Sequence, residues 1–202
     1  KAELHRALYD HPFLYQQGYK QPNEFSDEWI SQWLGFTVEE MWTTFAPDLP
    51  EEVWRQAAAL VGREMDGRTK RGEAQLFEGV AQALDALKQQ GFDLVFLSNC
   101  RIAYCDVHRS NFGLDKWFCA YYCAEVFNDI PKWKIYHQVA VNHTYPHVMV
   151  GDRFHDQEVA QYARIPFVGC AYGFGREGEL DQVDAWAYKP SDLPRAVELA
   201  LV

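Results

Sequence analysis

Two textures of apolar and polar positions divide the chain. Over residues 1–72 apolar side chains recur at helical spacing in blocks 2–9, 26–34, 38–45 and 51–65, and no stretch reads as a convincing strand. Ser26-Asp27-Glu28 opens one block and Pro50-Glu51-Glu52 another, both start signals for a helix. Met65-Asp66-Gly67-Arg68-Thr69-Lys70-Arg71-Gly72 is polar, charged and glycine-punctuated, and reads as a linker or hinge.

From Glu73 the pattern becomes an alternation. Val80, Leu84 and Leu87 predict a helix over 80–89 closed by Gly91, and 92–97 is then a short, nearly continuous apolar run, as in a strand covered on both faces. Further helices are predicted at 104–111, 133–142, 156–163 and 193–201, and strands at 118–124, 147–150, 167–170 and 186–188. Strand and helix in turn predict an α/β fold, a doubly wound parallel sheet with helices on both sides.

Composition narrows the partners. The 202 residues are 48% hydrophobic and 24% charged, as in ordinary globular proteins. No apolar run nears the roughly 20 residues that span a bilayer, and no secretory signal is visible, so no membrane role is expected. With 19 basic and 29 acidic side chains the net charge is −10, which argues against nucleic acid as a ligand. A small phosphorylated ligand remains compatible, given local cations or a metal ion. Five cysteines in apolar surroundings suggest reduced thiols in a cytoplasmic protein. Zinc is the sharper reading of Cys100…Cys105 and Cys119…Cys123, but neither spacing has the CxxC form, which favours buried thiols. Tryptophans 29, 33, 42 and 54 read as packing of the helical part rather than as a pocket lining.

Ligands of open parallel sheets bind beyond the C-terminal strand ends. After 92–97 come Ser98, Asn99, Cys100 and Arg101, offering a hydroxyl, an amide and a helix N-terminus to a phosphoryl oxygen. The plainer alternative is that Ser98 or Asn99 caps the helix. After 147–150 come Gly151-Asp152-Arg153-Phe154-His155-Asp156. The two carboxylates, four residues apart, suit a hard cation such as magnesium, or else serve as turn and cap residues. His155 between them reads as solvent-facing or a cap. Lys132 stands in a first helical turn, where the helix dipole disfavours it, which points either to an anion nearby or to a solvated basic pair with Lys134.

These blocks, in this order, resemble the haloacid dehalogenase superfamily. Leu97-Ser98-Asn99 looks like its second motif, Pro131-Lys132 with Ile135 like its lysine motif, and Val150-Gly151-Asp152 with Asp156 like its acidic motif. Leu76-Phe77-Glu78-Gly79-Val80 and Tyr172-Gly173-Phe174-Gly175 resemble flanking segments of phosphoglycolate phosphatase-like members. The resemblance implies residues 1–72 as a mainly helical cap and 73–202 as the core. It makes Ser98, Asn99 and Lys132 catalytic and, with Arg101, phosphate-binding, and it assigns magnesium to Asp152 with Asp156 in support. The family's first motif, Asp-x-Asp-Gly-Thr after a strand, supplies the nucleophile and is not found. Asp66-Gly67-Arg68-Thr69 is only an echo, without a strand or the paired aspartate. The expectation is that the central strand bearing that motif lies just upstream of Lys1.

The implied function is a magnesium-dependent phosphatase that acts on a small phosphorylated metabolite through an aspartyl phosphate. The alternatives are an inactive phosphate-binding or regulatory module, or a phosphomutase or dehalogenase of the same superfamily. A homodimer is left open.

Overall fold

The computed structural model describes residues 32–202. The expected helix at 2–9, most of that at 26–34, and Trp29 lie outside these residues. Residues 32–35 form a turn.

Helix α1 spans Val38–Phe45. Thr37 caps it, its hydroxyl accepting the Glu40 N–H at 3.2 Å. Helix α2 runs Glu51–Lys70 and corrects the expected linker at 65–72. Three local interactions carry the helix through Gly67. Arg68 bonds Glu64 one turn back at 2.9 Å, the Thr69 hydroxyl bonds the Met65 carbonyl at 3.1 Å, and the Thr69 side chain is buried. The chain turns only at Arg71–Gly72. Trp42 and Trp54 are buried with Ala57, Ala58 and Val61, so these two tryptophans are packing residues, as the spacing implied.

The α/β part follows as α3 (Val80–Gln89), β1 (Leu94–Ser98), α4 (Ile102–Phe112), β2 (Phe118–Cys123), α5 (Lys132–Val139), β3 (Met149–Gly151), α6 (Phe154–Ala163), β4 (Phe167–Cys170), β5 (Ala185–Ala187) and α7 (Leu193–Ala200). Ala83, Leu87, Val168, Ala187, Ala196 and Val197 form one buried cluster against β4 and β5, and Ile135 and Val139 of α5 anchor another with Ala124. No described helix is long and apolar enough to cross a membrane.

All strand pairs are parallel, but the sheet is in two pieces. Among the described residues β1 pairs with β2, while β3 pairs with β4 and β4 with β5. The exposure of side chains marks the break. Phe167 and Val168 of β4 are 1% and 0% exposed, whereas Val150 of β3 is 37% exposed. Every residue of β1 is only half-buried, although its sequence reads as doubly covered. Strands β1 and β3 therefore present unpaired edges among the described residues, a state that parallel strands normally avoid.

Candidate active site at the ends of β1 and β3

The loop after β1 holds Ser98 at the last strand position, opposite Cys123 of β2 in the ladder. Neither Ser98 nor Asn99 caps α4. Arg101 occupies the cap position without a side-chain bond, and the Ile102 N–H is accepted by Glu125 Oε2 at 2.6 Å. With that service supplied by the β2 side, the plainer reading of these two residues falls. Asn99 is buried. Its amide nitrogen donates to the Gly35 carbonyl at 2.8 Å, while its amide oxygen is buried with no hydrogen-bond partner among the described residues.

Lys132 is the first residue of α5 and is 7% exposed. Its Nζ lies 2.6 Å from Asp156 Oδ1, in a pair whose side chains are 8% and 9% exposed. The anion predicted for this lysine is thus, in part, Asp156. The other Asp156 oxygen accepts the backbone N–H groups of Asp152 and Arg153, at 3.2 and 3.1 Å. Asp156 is a cap residue and a lysine partner at once, with three donors on its two oxygens. In this geometry Asp156 orients Lys132 and the 151–153 turn.

Asp152 follows β3, and its Oδ2 accepts the Phe174 N–H at 2.6 Å from the loop after β4. The two loops meet so closely that a Cβ on Gly173 would overlap the Asp152 side chain. Burial pushes the Asp152 carboxyl above its usual value. The Phe174 N–H opposes this, Asp156 adds to it as a like charge, and Arg153 and Lys132 pull it down. The Cys100 thiol, two residues beyond Ser98, is lowered first by its hydrogen bond with Cys123 and least by Lys132.

The donor set fits magnesium in part. Asp152 is a buried oxygen ligand whose ionisation burial opposes, which a divalent ion would offset, and magnesium needs only one or two protein carboxylates. The two aspartates do not make a complete cage. Among the described residues, three His, Cys, Asp or Glu ligand atoms gather only at Cys100, Cys105 and Cys123.

Arg101 departs from its expected phosphate contact. Its Nη2 lies 3.0 Å from Asp66 Oδ1 of α2, and the guanidinium packs so tightly on Gly62 that a Cβ there would come within 2.6 Å of Cζ. The structure makes it a tie between the α/β part and α2. The nucleophile echo Asp66-Gly67-Arg68-Thr69 lies inside α2, with Asp66 committed to Arg101, so it is no nucleophile. His155 is buried rather than solvent-facing. Its Nε2 lies 3.2 Å from Glu40 Oε2 and its ring packs edge-on against Phe36.

Sequence reading missed a second group of contacts. Arg153 is 4% exposed, and its Nε donates to Glu179 Oε1 at 2.7 Å and its Nη2 to the Gln32 carbonyl at 3.1 Å. Glu179 also accepts the Phe154 N–H at 3.0 Å. A cleft of about 330 Å3 opens here, lined by Gln32, Phe36, Arg153, Phe154, Arg176 and Glu179. The basic residue beside two aspartates was the one local signal, and its partners are remote in sequence.

The parallel α/β sheet thus carries a serine loop, a buried lysine and an acidic turn at its strand ends. The chain matches the model of the haloacid dehalogenase-like hydrolases over residues 10–170 and belongs to that family. A predicted phosphatase from Clostridium acetobutylicum is 19% identical with a TM-score of 0.81, covering 98% of this chain and 91% of its own. A predicted phosphoglycolate phosphatase from Haemophilus somnus is 20% identical with a TM-score of 0.74, covering 97% and 91%. CbbY from Rhodobacter sphaeroides, solved with phosphate, is 14% identical with a TM-score of 0.78, covering 100% and 92%. At these identities the likeness establishes the fold. No curated protein matches the chain in sequence.

Proposed function

We propose that this protein is a magnesium-dependent phosphatase for small phosphorylated metabolites. The reading rests on the buried Lys132–Asp156 pair, which Asp156 joins to the Asp152 turn. Phosphoryl transfer depends on positioning and charge neutralisation, and these residues supply both. Ser98 would hold a phosphoryl oxygen, and the open Asn99 amide oxygen would accept a donor from the bound molecule. Lys132 would neutralise charge on the transferred group, its ammonium fixed by Asp156. Asp152 would hold magnesium, which supplies further charge neutralisation when bound.

The nucleophile is proposed to be an aspartate on a strand seated between β1 and β3, forming the aspartyl phosphate. The separation of the β1–β2 pair from the β3–β4–β5 sheet among the described residues, and the exposure of Val150, support that placement. Residues 1–72 would be a helical cap, tied to the core through Arg101–Asp66, His155–Glu40 and Arg153–Gln32. CbbY has also been solved with xylulose-(1,5)bisphosphate, in support of a small phosphorylated molecule as the substrate class. A reducing cytoplasmic setting is in keeping with five free cysteines.

The test is hydrolysis of a phosphomonoester panel by the full-length protein, with and without magnesium. Asp152→Asn is expected to lose the magnesium-dependent rate by at least about 100-fold. Unchanged magnesium-dependent turnover would overturn the metal assignment. The break in the sheet favours one second reading, a phosphate-binding module without turnover. Inorganic phosphate binding with no hydrolysis of any panel member would establish it.

A further inference from the structure

Three elements bring three sulfurs to one point. Cys100 lies in the loop after β1, Cys105 in the first turn of α4, and Cys123 at the end of β2. Their Sγ atoms all lie within 4.8 Å of one another, and all three thiols are free. Cys105 and Cys123 are 4% and 5% exposed, whereas Cys100 is half-buried and leaves an approach from one side. The supporting frame is rigid. Cys123 is fixed by its ladder position opposite Ser98, and the Cys105 N–H bonds the Arg101 carbonyl at 3.0 Å.

We propose that Cys100, Cys105 and Cys123 form a zinc site, with three thiolates and an outward fourth position for water. Zinc–sulfur bonds of about 2.3 Å at the tetrahedral angle put sulfurs about 3.8 Å apart. Side-chain rotation can close the remaining gap of about 1 Å without moving the strands. Soft thiolates select zinc over magnesium, whose hard-oxygen preference leaves it to Asp152. Binding is a balanced exchange in which three Cys–SH groups and one Zn2+ give a three-thiolate complex of net charge −1 and three protons.

The Cys123 thiol, as hydrogen-bond donor, together with Ser98 and Lys132, holds the Cys100 thiol down to about 7 against burial. Burial raises Cys105, and hydrogen bonding to Cys100 followed by burial raises Cys123, so the metal must displace both protons. Affinity for zinc therefore rises with pH.

The experiment takes the full-length, reduced, metal-free protein and titrates it with zinc alone against a chromogenic chelator. Cobalt loading then reads sulfur-to-metal charge-transfer absorption. One equivalent of zinc, release of up to three protons and a thiolate–cobalt band are expected. Cys100→Ser, whose site is partly open, is expected to weaken binding by about 100-fold or more, and so is Cys123→Ser if circular dichroism shows it folded. Cys119→Ser and Cys170→Ser should bind as the parent does. Zinc binding insensitive to Cys100→Ser, loss of binding in Asp152→Asn, or absence of the thiolate band would each overturn the site. None of these readouts depends on phosphatase activity.

Discussion

Lys132 Nζ and Asp156 Oδ1 lie 2.6 Å apart in a pair almost closed to solvent. The lysine opens α5 and the aspartate sits in the first turn of α6, so this one contact locks two helix starts at the sheet ends. Asp156 also satisfies two backbone N–H groups. Removing either partner leaves a buried charge uncompensated, which costs about 3–5 kcal/mol. Asp156→Ala is expected to lose that much in urea unfolding. Lys132→Met/Asp156→Ala should lose clearly less than the sum of its single variants, because neither charge is then stranded. Strict additivity would show the pair to be energetically uncoupled.

Gly173 gives Asp152 its position. The loop after β4 passes so near that a Cβ at 173 would collide with the Asp152 side chain, which Phe174 N–H holds at 2.6 Å. Gly173→Ala is expected to cost about 1–3 kcal/mol through forced displacement. A shift near 1 Å at Asp152 should also lower magnesium-dependent turnover by about 100-fold. Both changes would be read from thermal melts and from a magnesium titration of the rate. Full activity in the alanine variant would show that Asp152 does not need this seat.

Arg101 was expected at the phosphate and instead meets Asp66 of α2 at 3.0 Å. The two assignments separate cleanly. As a tie between the helical and α/β parts, Arg101→Ala and Asp66→Ala should each destabilise by about 1 kcal/mol and leave inorganic phosphate affinity unchanged. As a phosphate ligand, Arg101→Ala alone would weaken phosphate binding. Competition titration on the two variants decides, and a phosphate defect specific to Arg101→Ala would restore the first assignment.

Local order was legible wherever a local rule governed it. The helices at Val38–Phe45 and Val80–Gln89 and the strand at Phe167–Cys170 follow the apolar period, and Gly91 stops its helix with a φ of 89°. Ser98, Asn99, Lys132 and Asp152 became candidates because each ends or follows a strand or opens a helix, and the structure places them at those positions. Residues 65–72 were misread because the composition of a linker gave no weight to the Glu64–Arg68 and Met65–Thr69 contacts that extend α2. Glu40–His155 spans 115 positions and Arg153–Glu179 spans 26, and no period connects such residues. The thiol cluster escaped for the same reason. Cys119, the partner suggested by spacing, is exposed and bonds the Leu94 carbonyl at 3.3 Å, whereas Cys123 joins Cys100 and Cys105 through strand register.

Glu179 should make the cleft acid-sensitive. It accepts from Arg153 Nε at 2.7 Å and from the N–H groups of Phe154 and Arg176, both at 3.0 Å. Burial alone would raise its carboxyl, but Arg153 and the two N–H groups outweigh it and hold the group below its ordinary 4.5. A carboxylate depressed in the folded state binds its proton more tightly when unfolded. Its contribution is therefore complete above about pH 4.5 and drains away as pH falls through the lower folded value. Glu179→Gln lacks the titrating group. The stability gap between parent and variant should accordingly be widest at neutral pH and narrow progressively below pH 4.5. Denaturant midpoints measured for both proteins between pH 7 and pH 3 check this, and a gap constant over that range would show that the Arg153–Glu179 pair contributes nothing to acid sensitivity.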